Sequence, residues 1–164
     1  MAKFRALTLA DVATIMALAS EREAARDVFS AAEQLAKETC GWRLFTVLRY
    51  VEAANAVERV YSSDEKAYPV GGRKPLDKLQ QTHTAMQDGS IHLAATRAQV
   101  REAYFDHELI FSLGITAILN APIRHAGQRL GTVNLCGEEG MYDDASANSA
   151  KIIAGLLAPV MLRL

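Results

Sequence analysis

Residues 115–136 constrain the fold more than any other stretch of this chain. Apolar and polar side chains alternate along 115–123 and again along 130–136, and His125-Ala126-Gly127-Gln128 reads as the turn joining two strands. The period of two puts Ala117, Leu119, Ala121, Val133 and Leu135 on one side of that hairpin. Thr116, Ile118, Asn120, Thr132, Asn134 and Cys136 fall on the other. The first side is apolar and needs covering by helices. The second is mixed, with Asn120 and Asn134 near each other on neighbouring strands, where their amides offer donors and acceptors. A mixed floor roofed by loops is a common construction for a small-molecule pocket. The other use of such amides is to hold loop backbone.

Helices that can cover the apolar side are legible at both chain ends. Thr8 and Asp11 make a capped start, and Leu9, Val12, Met16 and Ala19 recur at helical spacing, predicting a helix over 9–19. Ser20 and Glu23 match a second capping box ahead of the stripe Val28, Ala32, Leu35 and Ala36, which ends near Cys40-Gly41. The polar block 21–27 leaves open whether this is one helix or two. At the far end Asp143 caps a stripe of Ala150, Ile153, Ala154, Leu157, Val160 and Met161, with Pro159 expected to bend or end it.

Between these ends the spacing predicts strands over 42–51 and 57–63, paired across 52–56. A loop follows at Gly71-Gly72. Pro75 then stands where a helix would begin, with Leu76, Leu79, His83 and Met86 on one face and Gly89 as its end. A short strand fits 91–93. Thr96 and Gln99 open a helix carrying Val100 and Tyr104, and a further helical turn over 107–113 stops at Gly114. The expected class is α+β: a central antiparallel sheet of five to six strands, with N- and C-terminal helices on one face. Internal helices and loops would form a pocket on the other.

Composition narrows the function classes. A chain of 164 residues with a formal net charge of -1 is the size of one domain and has neither a basic stripe nor an acidic tail, so neither nucleic acid nor membrane is expected as a partner. Cys40 and Cys136 belong to no C-x-x-C or Cys/His pattern and read as reduced thiols in a cytoplasmic protein. Lys3 and Arg5 precede an apolar run ending Ala17-Leu18-Ala19, but Asp11 in its middle favours an amphipathic helix over a secretion signal. No apolar run approaches the roughly 18 to 20 residues that span a bilayer.

Several polar clusters have residue types that can carry chemistry. Asp106, His107 and Glu108 are consecutive, and on a helix they point about 100° apart, too far to share one ion. Their other use is as acids near a helix N-terminus. His83 has no acid or nucleophile placed beside it by spacing. Gly71-Gly72-Arg73-Lys74 lacks the G-K-[ST] ending of a phosphate loop, yet two glycines beside two cations could present amides and positive charge to an anionic ligand.

Arg59-Val60-Tyr61-Ser62-Ser63, Tyr68-Pro69-Val70-Gly71-Gly72, Leu119-Asn120-Ala121-Pro122-Ile123, Gly127 and Leu130-Gly131-Thr132-Val133-Asn134-Leu135 follow one another in an order that resembles a GAF domain, a PAS-related fold. The resemblance covers 25–163, with 1–24 as an N-terminal helical extension of a single domain, and is most specific in the late hairpin. It implies six antiparallel strands, terminal helices on one face and a ligand cavity on the other. It also implies a sensory or regulatory role in signal transduction and a homodimer through the terminal helices.

The candidate ligand-binding residues are Arg59, Tyr61, Tyr68, Gly71, Gly72, Arg73, His107, Asn120, Thr132 and Asn134, around an unidentified small molecule for which an anion is one candidate. No catalytic residue, metal or cofactor is assigned. Tetrapyrrole attachment would want a cysteine often followed by histidine, but Cys40 and Cys136 are each followed by glycine. The N-K-x-F-D-E signature associated with cyclic-nucleotide GAF domains is only echoed by Phe105-Asp106-His107-Glu108. Two alternatives remain. One is a dimerisation or docking module without a ligand; the other is an enzyme like the free methionine sulfoxide reductases of this fold, for which Cys136 is the cysteine able to face the pocket.

Overall fold

The computed structural model describes residues 4–21, 24–79, 84 and 87–164. Its helices and strands, in chain order, are α1 (Leu9–Ser20), α2 (Ala25–Thr39), β1 (Leu44–Val51), β2 (Ala56–Ser62), β3 (Arg73–Pro75), β4 (His92–Ala94), α3 (Arg97–Ala103), α4 (His107–Ser112), β5 (Ala117–His125), β6 (Gln128–Gly137), α5 (Asp144–Leu156) and α6 (Ala158–Met161). The strands form one six-stranded antiparallel sheet in the order β3-β2-β1-β6-β5-β4.

The late hairpin forms as its alternation predicts. His125 pairs with Gln128, and the two residues between them, Ala126 and Gly127, have φ of 47° and 79°. Positive φ at both central positions gives the turn whose twist matches the flanking strands. The apolar side of the hairpin meets the terminal helices. Leu119, Ala121, Val133 and Leu135 pack with Val28 and Phe29 of α2 and with Ile153 and Ala154 of α5 in one buried core. Leu157 lies between α5 and α6, where Pro159 in the first turn of α6 marks the expected break. A second, smaller core lies across the sheet, where Leu44, Leu48, Val57, Ile115 and Ile118 meet Leu76, Val100 and Ile110.

Caps locate the helix starts. Thr8 with Asp11, Thr96 with Gln99, and Asp143 with Ser146 each make reciprocal capping boxes that satisfy first-turn amides. The capping box expected at Ser20 does not form: Ser20 is the last residue of α1, and its hydroxyl donates to the Ala17 carbonyl. Glu21 and Ala24 are extended, so the first two helices are separate; Glu23 lies outside the described residues.

The helix expected from Pro75 is also corrected. Pro75 ends the short edge strand β3, opposite Ala56, and Leu76–Lys78 makes a single 3-10 turn. An edge strand tolerates proline because no ladder donor is needed there. Helical backbone does occur at residues 84, 87 and 88, before Gly89. His83 and Met86 lie outside the described residues.

One irregularity in the sheet decides which side chains face the inner core. Val47 pairs with Tyr61 and Leu48 with Arg59, so Val60 is an extra residue in β2. A bulge of this kind turns the residues on its two sides to opposite faces. Arg59 consequently points to the smaller core, and Tyr61 packs in the larger one, with ring centroids 5.7 Å from Phe29 and 6.0 Å from Phe45.

Candidate ligand-binding site

A cavity of about 50 Å³ lies between the inner face of the sheet and the internal helices. Its floor is polar at the centre and aliphatic around it. Asn120 on β5 donates from Nδ2 to Asn134 Oδ1 on β6 at 2.6 Å. Asn134 Nδ2 in turn donates to Thr46 Oγ1 on β1 at 3.0 Å, and the Tyr104 hydroxyl, just past α3, donates to Asn120 Oδ1 at 2.5 Å. The His92 ring lies 3.2 Å from the same oxygen. Strands β1, β4, β5 and β6 and the end of α3 are thus linked through two amides. Leu44, Leu48, Leu79, Ile110, Ile115 and Ile118 make the aliphatic part of the wall.

The other end of the cavity carries charge. Arg59 is 5% exposed and donates from Nη1 to the Pro69 carbonyl at 3.0 Å, while its guanidinium carbon sits 4.8 Å from the centre of the Tyr68 ring. Its Nε is buried with no partner among the described residues. Lys74 enters from β3 and holds Asp106 Oδ2 at 2.6 Å; the Tyr68 hydroxyl donates to the same oxygen at 3.0 Å. Burial, and then the negative charge of Asp106, raise the Tyr68 phenol above its usual range and keep it protonated. Burial also works against the Arg59 charge, lowering its pKa, although a guanidinium remains charged in any accessible pH range.

Comparison with solved structures settles the architecture. The GAF domain of an Acinetobacter phosphoenolpyruvate-protein phosphotransferase superposes with a TM-score of 0.74 at 12% identity, covering 94% of this chain and 92% of that one. The phycocyanobilin-bound GAF domain of a cyanobacterial phytochrome gives 0.73 at 13% identity, covering 96% of each chain. A GAF domain/HD domain protein from Geobacter sulfurreducens gives 0.71 at 13%, covering 88% of this chain and 96% of that one. The chain has the GAF fold. The sequence itself matches no family model, and a search of curated proteins finds no match.

Within this GAF fold, four of the ten residues picked from sequence line the cavity: Arg59, Tyr68, Asn120 and Asn134. Thr132 is buried on the same sheet face but is not part of the wall, and its hydroxyl has no partner among the described residues. Tyr61 sits on the opposite face because of the Val60 bulge, and its hydroxyl bonds to the Glu33 carboxylate. Arg73 turns outward and pairs with Glu58 at 2.6 Å. His107 also stays out of the wall: its Nδ1 lies 3.0 Å from the Tyr104 carbonyl and its Nε2 faces Glu108.

Gly71 and Gly72 serve the chain itself, and the amide cradle read from sequence is corrected. The Gly71 N–H donates to the Arg59 carbonyl at 2.8 Å, and the Gly72 N–H points to the Pro69 carbonyl. The absence of a side chain at Gly72 matters, since a Cβ there would lie 2.7 Å from Arg59 Nη1. The loop is shaped around the arginine.

The residues that sequence reasoning left out of the site are Lys74, Asp106, Tyr104, Thr46 and Cys136. Alternation along β3 would have sent Lys74 inward once Arg73 was placed outward, but a three-residue edge strand has too weak a pattern to read. Asp106 stands before α4 without capping it; its carboxylate faces Lys74 and Tyr68. Cys136 does line the cavity, but burial pushes its thiol up to about 12. Cys40 is in the other core, across the sheet, where its thiol is 3.5 Å from the Ser146 carbonyl. Thiol exchange needs an available thiolate and a second sulfur within reach. Among the described residues no cluster of ligating side chains could hold a metal ion.

Proposed function

We propose that this protein is a sensory domain that binds a small molecule in the cavity between Asn120, Asn134 and Arg59. One observation carries the reading: the cavity floor is built from a continuous hydrogen-bonded amide network, and a buried cation with a donor that has no partner among the described residues stands at its rim. Such convergent polar groups in an apolar wall are characteristic of pockets that orient a ligand. One of the structurally similar GAF domains, that of a cyanobacterial phytochrome, is bound to phycocyanobilin, and a bound small molecule in a domain of this fold supports the reading. A cavity of about 50 Å³ is well below the roughly 300 to 1,000 Å³ of drug-sized sites, so the ligand is small or the roof opens to admit it.

On this reading residues 25–163 form the sensing core and α1 is an extension of it. The reduced, buried thiols fit a cytoplasmic setting. Among the described residues no helix is long and apolar enough to cross a membrane.

A thermal-shift screen of soluble metabolites tests the reading. A compound at 100 times its dissociation constant stabilises the folded state by about 2.7 kcal/mol, which for a domain of this size is a rise of roughly 5 to 10 °C. A broad screen without one stabilising compound contradicts it.

A second reading has its own observation. Leu9 and Met16, seven residues apart on α1, are 89% and 56% exposed, and Ile152 on α5 is 43% exposed. An unpartnered apolar strip on the terminal helices favours pairing of two copies there. Light scattering at tens of micromolar distinguishes a dimer from a monomer.

A further inference from the structure

The cavity carries more positive charge than its own residues balance. Arg59 and Lys74 line that end and Asp106 stands beside them: among the described residues, two cations against one carboxylate, whose Oδ1 is itself buried without a partner there. Lys74 takes that carboxylate at 2.6 Å and is 18% exposed, as Asp106 is 16% exposed. Arg59 is left with a carbonyl, an aromatic face and the field of Asp106, but no direct anionic partner among the described residues. An unpaired charge out of water is costly, and a guanidinium cannot shed its proton to avoid that cost.

The rest of the wall limits what can supply the missing charge. Leu44, Leu48, Leu79, Ile110, Ile115 and Ile118 line the cavity with hydrocarbon. A phosphate or sulfate would be surrounded on most sides by groups that cannot solvate it. A nucleotide or tetrapyrrole exceeds a hollow of about 50 Å³ with its roof closed.

Resting on the sensor reading, we infer that the site takes a small aliphatic carboxylate, its carboxylate on Arg59 and its hydrocarbon among the leucines and isoleucines. Planar guanidinium and carboxylate groups match geometrically, so Arg59 selects the carboxylate over a point anion. Asn120 and Asn134 each donate one amide hydrogen within the network and retain a second for any further oxygen on the ligand. Lys74 adds attraction without being released from Asp106.

Isobutyrate, its neutral isostere isobutyramide, and inorganic phosphate are the probes, titrated by calorimetry and by NMR of the arginine Nε–Hε resonances of the whole chain. Isobutyrate is expected to bind and to move the Arg59 Hε resonance; isobutyramide and phosphate are expected to bind at least about tenfold more weakly. Arg59→Met is expected to weaken isobutyrate binding by about tenfold to a hundredfold, and Lys74→Met by a smaller factor. Should Arg59→Met not fold, the wild-type Hε resonance still decides, because it must move with isobutyrate and stay with isobutyramide. Equal binding of acid and amide, or preference for phosphate, overturns the carboxylate assignment and leaves the pocket standing. If none of the three binds and the metabolite screen is also blank, both readings fall.

Discussion

Asn120 and Asn134 occupy directly opposed positions on β5 and β6, and the first donates its amide hydrogen to the second at 2.6 Å. Each is at least 94% buried, with exposures of 3% and 6%, so neither can trade its partner for bulk water. The pair is therefore a structural element as well as a floor. Replacing Asn120 by Ala strands Asn134 Oδ1 and removes the acceptor to which the Tyr104 hydroxyl donates, and a loss of about 2 to 3 kcal/mol is expected in urea unfolding. Asn134→Ala should cost a similar amount. The double variant should cost clearly less than the sum, because the second change removes an already unpaired group. Strict additivity would mean that the amides do not act as one network.

Two glycines should respond oppositely to alanine. Gly131 on β6 faces β1 so closely that a Cβ would collide with the Leu48 carbonyl oxygen, which is backbone and cannot swing away. Gly131→Ala is expected to destabilise by about 3 kcal/mol or more. Gly155 on α5 has open space around the same position, so Gly155→Ala should stabilise by roughly 0.5 to 1 kcal/mol. Denaturation midpoints of the two variants check both signs.

Neither thiol should be reactive in the folded protein. Burial raises Cys40 and takes Cys136 up to about 12, leaving little thiolate at neutral pH. Titration with a chromogenic disulfide at pH 8 is expected to find almost no reaction within minutes, and two thiols after addition of denaturant. Rapid labelling of Cys136 in the native state would restore thiol chemistry as a use of the cavity.

Acid should weaken the fold through its caps and surface pairs. The Ser146 backbone N–H bonded to Asp143 holds that carboxylate below its usual value, and Glu58 is held down first by its bond to Arg73 and further by Arg49. A lowered folded-state value contributes stability that is complete above the unfolded value, about 4, and is lost as pH falls through the folded one. Asp143→Asn keeps a capping oxygen but has nothing to titrate. Its stability should accordingly vary less than that of the wild type between about pH 4 and 2. Parallel urea titrations at pH 7, 4 and 3 compare them.

The readable and unreadable parts of the sequence divide along physical lines. The β5–β6 hairpin and the terminal helices carry their periods over many residues, so alternation and capping residues located them to within a few positions. The amide floor was visible for the same reason. Alternation alone puts Arg59 and Tyr61, two apart, on one face, and only the pairing of β2 with β1 reveals the extra residue between them. Pro75 carries the same local preference at the start of a helix as at the end of an edge strand; pairing with Ala56 decides for the strand. That pairing is also what directs Lys74, and not Arg73, toward the inner core. Bulges and edge pairings are properties of two segments together, and neither segment alone encodes them.

On the proposed reading, ligands enter the polar-floored hollow and not the helix-covered face. Side-chain amide signals of Asn120 and Asn134, followed by NMR while filtered metabolite extract is added, test it most directly. Both amides and the Ile118 methyls should shift together, while the methyls of Val28 and Ile153 in the opposite core stay in place. Shifts confined to the terminal-helix side, with the two amides unmoved, would contradict the account.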